Sequence, residues 1–491
     1  MSTNIAEAIL SDGTKLPYVV NDDPPRGGMK YTYFAPDKSY VVQFFNNPAE
    51  IAKTNIKSRL EAIIGKYNPT RAAQDGGAQG NTQQTAKYFA SKFCWPTAII
   101  KSPEFGIVCP TYPGNFFFSD TSSAKLPLNG RDKKSNWFTS KNRKYLNPSE
   151  LGDFRSMLQI AIILARSIRR MHQAGLSHSD LSCNNVLIDP RSGTCIIIDI
   201  DSLVVPGLFP PEVAGTPKYI APEVLETTSL SFNDKAKKLP CAYTDLHAMA
   251  VLIYEYFFMR HPLSGPKVFS KASAEEDDFL GFGSKALFIE NPHDTSNRPK
   301  DLKLTIKDFG PSLEKLFLRA FVDGLHNPNA RPAAMEWEKA LTQAWDLLQP
   351  CTNPKCSAKW FILHDPCKPV CPFCGHKVNN HDFIRLQLKS NLRGNSAQWR
   401  PAQEINVYDG LPLFEWHIFP NIYPDEKANR DLMAYVRKVN NQWLLINHSV
   451  QGMKSPGGNL VPSGQAILLN NGAVFLASDS HRGGYLVEVK S

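Results

Sequence analysis

His178, Asp180, Asn185 and Asp199 bring an imidazole, two carboxylates and an amide into one short stretch, within HSDLSCNNVLID and CIIIDIDSL. Asp199 closes an apolar run, and a carboxylate at the end of such a strand is well placed to hold a metal ion. Taken singly, Asp and Asn also cap helices and turn chains, so none of the four decides anything alone. A second cluster, Cys351, Cys356, Cys371 and Cys374 in CTNPKC and CPFCG, has the form of two knuckles. Four thiolates close a tetrahedral site and leave no open position, so a metal there is structural and not catalytic. Cys367 and His376 stand as alternative ligands. The other cysteines, Cys94, Cys109, Cys183, Cys195 and Cys241, are scattered, which argues for reduced thiols and against a disulfide framework.

A chain of 491 residues is too long for one core and predicts about two to four domains. KLPYVV, KYTYF, SYVVQFF, WPTAII and FGIVCPTY read as strands and IKSRLEAIIGKY as a helix, which predicts a five-stranded sheet with one helix over residues 1–112. Residues 74–84, QDGGAQGNTQQ, read as a loop. FRSMLQIAIILARSIRRMH predicts a helix with Leu158, Ala161, Ile162, Ala165 and Ile168 on one stripe, and TDLHAMAVLIYEYFF, apolar nearly all round, predicts a buried one. AAMEWEKALTQAWDLL is amphipathic through Trp337, Leu341, Trp345 and Leu348. Beyond Gln403, YVRKV, QWLLIN, AILLN, AVFLAS and GYLVEV are short strands between NN, GG and NNG turns, which predicts a small β-sandwich.

With 42% hydrophobic and 21% charged residues the composition is that of a globular protein. The excess of 55 Lys+Arg over 46 Asp+Glu, +9, suits phosphate-bearing ligands without demanding nucleic acid. MSTNIAEAILSDGTK lacks the pattern of a signal peptide, and the most apolar run, Ala248 to Phe258, is short and carries Glu255. A cytoplasmic protein with no membrane span is expected. The run RDKKSNWFTSKNRK, residues 131–144, interleaves Trp137 and Phe138 with positive charge and reads as a solvated insertion in preference to a docking face for an acidic partner or nucleic acid.

HSDLSCNNVLID resembles the catalytic loop H-R-D-L-x-x-x-N of protein kinases, and CIIIDIDSL resembles the D-F-G element with Ile200 and Asp201 in place of Phe and Gly. GTPKYIAPE carries A-P-E whole; TDLHAMAV resembles the D-x-W-x-x-G helix through Asp245, and NARP offers Arg331 as partner for Glu223. The resemblance implies an α+β, bilobal protein-kinase fold with an N-lobe over 1–112 and a C-lobe over 113–349, using ATP and Mg2+ (or Mn2+) on protein substrates. Carried over to this chain, it makes Asp180 the base and Asn185 and Asp199 the Mg2+ ligands. Thr216, in G-T-x-x-Y, matches a mark of serine/threonine kinases. Ser179 replaces an Arg that in many kinases clasps an activation-loop phosphate, so control by that phosphate is not expected. Ser182 replaces the Lys or Arg that steadies the transferred group, a loss that costs rate.

Kinases of this family hold the nucleotide phosphates with a third-strand Lys, as in V-A-I-K, paired with a Glu on the next helix. In KSYVVQFFNN the matching residue is Gln43, a neutral amide. The preceding loop, PRGGMKYTY, resembles G-x-G-G-M-G-x-V-Y of bacterial kinases, with Gly27 and Gly28 matching and Lys30 at the last Gly. With-no-lysine kinases place their lysine at that position. The resemblance therefore implies that Lys30 contacts the phosphates and pairs with Glu61, with Glu50 as rival; the plainer reading is a solvated loop lysine.

The cysteine pattern resembles a zinc ribbon, over 350–378, with a structural Zn2+. Residues 400–491 resemble a forkhead-associated (FHA) sandwich through WLLINHSVQG; Ser449 matches, but Gln451 replaces the Asn and no Gly-Arg precedes it, so a packing module competes with phosphopeptide binding. The whole order resembles bacterial kinases of tellurite-resistance-like triads, which implies a PP2C-type phosphatase and a vWA-domain protein as partners. Two functions follow: an active serine/threonine kinase, or a pseudokinase scaffold that recruits partners through its C-terminal modules.

Overall fold

The computed structural model describes all of the chain except residues 1–3, 27–28, 48–54, 120–125, 206–207, 209–214, 232, 380–381, 392–397, 481 and 491. Two units divide it, the first made of 1–152, 163–301 and 317–335 and the second of 153–162, 302–316 and 336–491.

The first unit opens with six antiparallel strands, β1 (Ile5–Leu10), β2 (Lys15–Val19), β3 (Lys30–Phe34), β4 (Tyr40–Phe45), β5 (Ala98–Ser102) and β6 (Gly106–Pro110), in the order β2-β1-β5-β6-β4-β3. This corrects the five-stranded expectation. β1 and β2 form a hairpin across Asp12-Gly13: the Leu10 N–H donates to the Thr14 carbonyl at 2.8 Å, and Gly13 takes φ +91°, which only glycine adopts without strain. β2 therefore pairs with β1 and not with β3, so the loop between β2 and β3 joins two strands that are not hydrogen-bonded neighbours. The ends of the sheet still approach, with the Tyr18 ring 5.2 Å from Tyr33 and 5.6 Å from Phe44. Ala8, Leu10, Val42, Phe44, Ile100 and Val108 fill the interior.

Among the described residues two α-helices, where one was expected, accompany the sheet. In α1 (Ile56–Ile64) the residues Ile56, Arg59, Leu60 and Ile63 are buried. The second, α2 (Gln83–Ala90), begins at the end of the stretch read as loop; Thr82 caps it by accepting from the Thr85 N–H. The expected helix α3 (Phe154–Gln173) buries the whole stripe from Leu158 to Ile168 that its spacing predicts. A hairpin of β7 (Val186–Asp189) and β8 (Thr194–Ile197) follows, then α4 (Ala242–Phe258), buried at every residue from Thr244 onward as an all-round apolar helix must be.

α5 (Ala334–Asp346) leads into the second unit's C-terminal part. There β9 (Leu348–Pro350) and β10 (Trp360–Ile362) pair around the first two clustered cysteines. Phe373, between the other two, packs on Phe154 at 5.0 Å. Two four-stranded antiparallel sheets follow. One is β12-β11-β18-β17, from β11 (Ile384–Ser390), β12 (Arg400–Val407), β17 (Val474–Leu476) and β18 (Leu486–Lys490). The other is β13-β14-β15-β16, from β13 (Pro412–Leu413), β14 (Ala434–Val439), β15 (Gln442–Asn447) and β16 (Ala466–Leu468). One apolar core, with Leu386, Leu388, Val436, Leu445, Phe475 and Val487, belongs to both. These sheets start at Ile384, so the boundary expected at residue 400 moves earlier: Ile384, Leu386 and Leu388 alternate inward along IRLQLKS.

Candidate active site

The loop between α3 and β7 is tied down by Asp245, in the first turn of α4 and 1% exposed. Its Oδ2 accepts from the His178 backbone N–H at 2.8 Å and lies 3.0 Å from His172 Nε2. Asp245 is thus an anchor and not the helix cap, a place taken by Cys241. The buried His178 ring points the other way, its Nε2 donating to the Ile198 carbonyl at 2.9 Å, which joins this loop to the end of β8. Ser179 and Asp199 both sit in the left-handed region, at φ 64° and 61°. Such strain, about 1–3 kcal/mol for a non-glycine residue, persists only where surroundings enforce it.

Asp180 is held from both sides. Its Oδ1 accepts from the Thr216 N–H at 2.6 Å and hydroxyl at 2.8 Å, and its Oδ2 accepts from Asn185 Nδ2 at 3.0 Å. The buried Ser182 hydroxyl lies 3.1 Å from that of Thr216. A carboxylate so oriented can take a proton from a hydroxyl brought to it. Glu223 and Arg331 form the expected pair, bidentate at 2.8 and 2.8 Å, with the arginine side chain 1% exposed.

A cleft of about 470 Å³ runs between this loop and the sheet, lined among others by Lys30, Gln43, Tyr112, Asn185, Asp199 and Asp201. That is the size of a small-molecule site. Lys30, at the start of β3, is 9% exposed and not a solvated loop residue. Its ammonium lies 3.1 Å from Asp199 Oδ1 and makes a shorter contact with Asp201. Burial works against its charge, but Asp201 and Asp199 outweigh burial and hold the ammonium well above the usual lysine range. Lys30 in turn holds the Asp199 carboxyl below its ordinary value. For Asp201, burial opposes ionisation while Lys30 favours it. Gln43, opposite Thr32 in the β3–β4 register, donates to the Thr32 hydroxyl at 3.2 Å, and its Oε1 lies 3.8 Å from the Cys109 sulfur.

The expected pair of Lys30 with Glu61 is not formed. On α1 the buried stripe runs through Ile56, Leu60 and Ile63, which turns Glu61 outward, where it is exposed beside a separate hollow with Leu10 and Ser11. Gly27, Gly28 and Glu50 lie outside the described residues. The run 131–144 is also corrected. Lys133 is fully buried, 2.6 Å from Glu150 and 3.4 Å from Asp189, and Ser135, Phe138 and Thr139 are buried too, so the middle of the run is core structure, while Arg131, Ser140, Lys141, Asn142 and Lys144 are exposed as a solvated insertion would be. One cleft residue was missed, Asp201, whose only signal was its D-x-D spacing from Asp199; the structural ion pairs of Lys133 were missed too, because its acidic partners are remote in sequence.

The four sulfurs of Cys351, Cys356, Cys371 and Cys374 all lie within 4.8 Å of one another, with Cys351–Cys374 at 3.6 Å and Cys356–Cys371 at 3.9 Å. Thiolates around one tetrahedral ion at zinc–sulfur distance sit about 3.8 Å apart, so the four fit a Zn2+ and are too far apart to be disulfides. Cys367 lies outside the group, and His376 bonds the Thr352 hydroxyl at 2.8 Å.

Tyr219, in GTPKY, donates to Glu255 Oε2 at 2.6 Å. Burial pushes the Glu255 carboxyl from 4.5 up to about 7, with the Tyr219 bond and Lys218 opposing. Between those pH values the folded state keeps a proton that the unfolded state has lost. Stability therefore falls as pH rises from about 4.5 through about 7, by roughly 3 kcal/mol. Urea unfolding across that range is expected to lose this component in Glu255→Gln.

Residues 139–339 match the family model described as protein kinase domain. The chain carries a protein kinase domain. The match begins beyond β6, so Lys30 and the six-stranded sheet lie outside it. The chain is similar to the serine/threonine-protein kinase pkn3 of Myxococcus xanthus, 28% identical over 186 residues, 36% of this chain and 28% of that one. It is similar also to the anti-Muellerian hormone type-2 receptor of Homo sapiens, 34% identical over 127 residues, 21% of this chain and 22% of the receptor. The chain thus spans little more than a quarter, or less, of the length of these relatives. Among solved structures, the kinase domain of a Toxoplasma gondii rhoptry antigen aligns at 14% identity and TM-score 0.42, covering 69% of this chain and 86% of that one. No helix among the described residues is long and apolar enough to cross a membrane.

Proposed function

We propose that this chain is a protein serine/threonine kinase that moves the γ-phosphate of ATP to a protein Ser or Thr hydroxyl. Asp180 accepts the hydroxyl proton, Asn185 and Asp199 are the residues that would hold Mg2+ (or Mn2+), and Lys30, not Gln43, contacts the phosphates. The metal, when bound, offsets the phosphate charge. The observation that carries the reading is the buried Lys30 ammonium 3.1 Å from Asp199, in the same cleft as Asn185. Thr216 holds the Asp180 carboxylate toward Asn185, which supports its part as base. In this reading 1–112 and 113–349 are the two kinase lobes and 350–378 is a ribbon closed by Zn2+ on the four cysteines. The two sheets from Ile384 onward are a packing module: the Ser449 hydroxyl is taken by the Leu432 carbonyl at 2.8 Å, which favours packing over phosphopeptide capture. A PP2C-type phosphatase and a vWA-domain protein as partners rest on resemblance alone.

One observation favours the second reading, a scaffold without transfer. Ser182, buried and neutral, stands where a basic residue steadies the transferred group. Incubation with γ-labelled ATP, Mg2+ or Mn2+, and a generic acceptor separates the two. The kinase reading expects label on serine or threonine; nucleotide binding with no transfer under either metal supports the scaffold.

A further inference from the structure

We propose that Asp201 is a positioning residue for Lys30, doing from the loop after β8 what a glutamate on α1 does where the lysine lies on β4. This rests on the reading of Lys30 as the phosphate contact. Three observations carry it. The Lys30 side chain is 10% exposed and needs a carboxylate partner, since a buried ammonium without one is costly. Its two partners differ in character: the Asp199 side chain is 45% exposed and open to the cleft, whereas that of Asp201 is 9% exposed. Asp199 thus faces the cleft where a cation would sit, while Asp201 is enclosed with the lysine. Helix α1 presents Arg59 on its buried face and Glu61 on its exposed one, so its described residues offer Lys30 no acid.

Where the lysine's partner sits on a mobile helix, moving the helix breaks the pair and silences the site. Here the charge for the phosphates and Asp199 are set by one short turn, Ile200–Ser202, that follows the left-handed Asp199. The lysine's carboxylate partner is thus carried by that turn and by none of the described residues of α1, although α1 packs against the turn.

The test is a double-substitution cycle with two readouts on the full chain. In urea unfolding without nucleotide, Lys30→Met and Asp201→Asn each lower the midpoint, and the double variant is no less stable than the worse single. Losses that simply add overturn the pairing, whether or not the chain is a kinase, so failure of the kinase reading stays distinguishable. In phosphate transfer, Asp201→Asn raises KM for ATP about tenfold with a smaller change in kcat, and adding Lys30→Met then costs less than about threefold more. The Mg2+ concentration for half-maximal rate stays that of wild type in Asp201→Asn and shifts in Asp199→Asn. Glu61→Gln changes neither KM nor kcat. A shifted Mg2+ requirement in Asp201→Asn would make it a metal ligand and overturn the proposal, as would a KM effect of Glu61→Gln equal to that of Asp201→Asn.

Discussion

Asp180→Asn lowers kcat for phosphate transfer by about 10²–10⁴-fold, the range that a positioned general base supplies, and leaves the dissociation constant for ATP within about twofold. The substitution keeps the shape of the side chain. An amide oxygen still accepts from Thr216, at the distances of 2.6 and 2.8 Å that hold Oδ1. What disappears is the capacity to take a proton and the charge facing Asn185 Nδ2. Calorimetric ATP binding beside steady-state rates separates the two effects. A loss of binding as large as the loss of rate would mean that Asp180 holds the loop together and does not do chemistry.

Removing Zn2+ with a strong chelator, or replacing Cys371 by Ser, unfolds residues 348–378. Cys371 is 0% exposed and faces three other sulfurs. Around it the segment buries few apolar side chains, chiefly Leu348, Phe361, Ile362, Leu363 and Val378. That is too small a core to fold alone, and structural zinc contributes about 10–16 kcal/mol in small zinc domains. Metal analysis is expected to give one zinc per chain in wild type and none in Cys371→Ser. Hydrogen exchange should show protection lost across 348–378, whereas β11 and β18, with their own core, keep theirs. Full protection in a zinc-free chain would contradict the assignment.

What the sequence made legible was whatever local pattern controls. The catalytic loop, A-P-E and the Glu223–Arg331 pair all stood in ordered motifs, and α4 was readable because a helix apolar all round has one place to go. The β1–β2 hairpin carried the Asp12-Gly13 turn that marks hairpins, but IAEAIL is short and alanine-rich, so its alternation was weak. The site failed to be legible where partners are remote. Lys133 looked like one charge in a basic run because Glu150 and Asp189 come together only in the fold. Glu61 was the best-placed acid along the chain, yet helix phase turned it outward. Lys30 instead meets Asp201, some 171 positions on, a contact no local spacing encodes.

In the proposed kinase the charge missing at Gln43 is supplied from β3 by Lys30. The most direct test is kcat/KM for ATP in Lys30→Ala beside Gln43→Ala. Loss of a buried cation aimed at the phosphates is expected to cost about a hundredfold or more, whereas loss of one neutral hydrogen bond costs about tenfold at most. Activity that survives Lys30→Ala and disappears in Gln43→Ala would place the phosphate contact at Gln43 and not at Lys30.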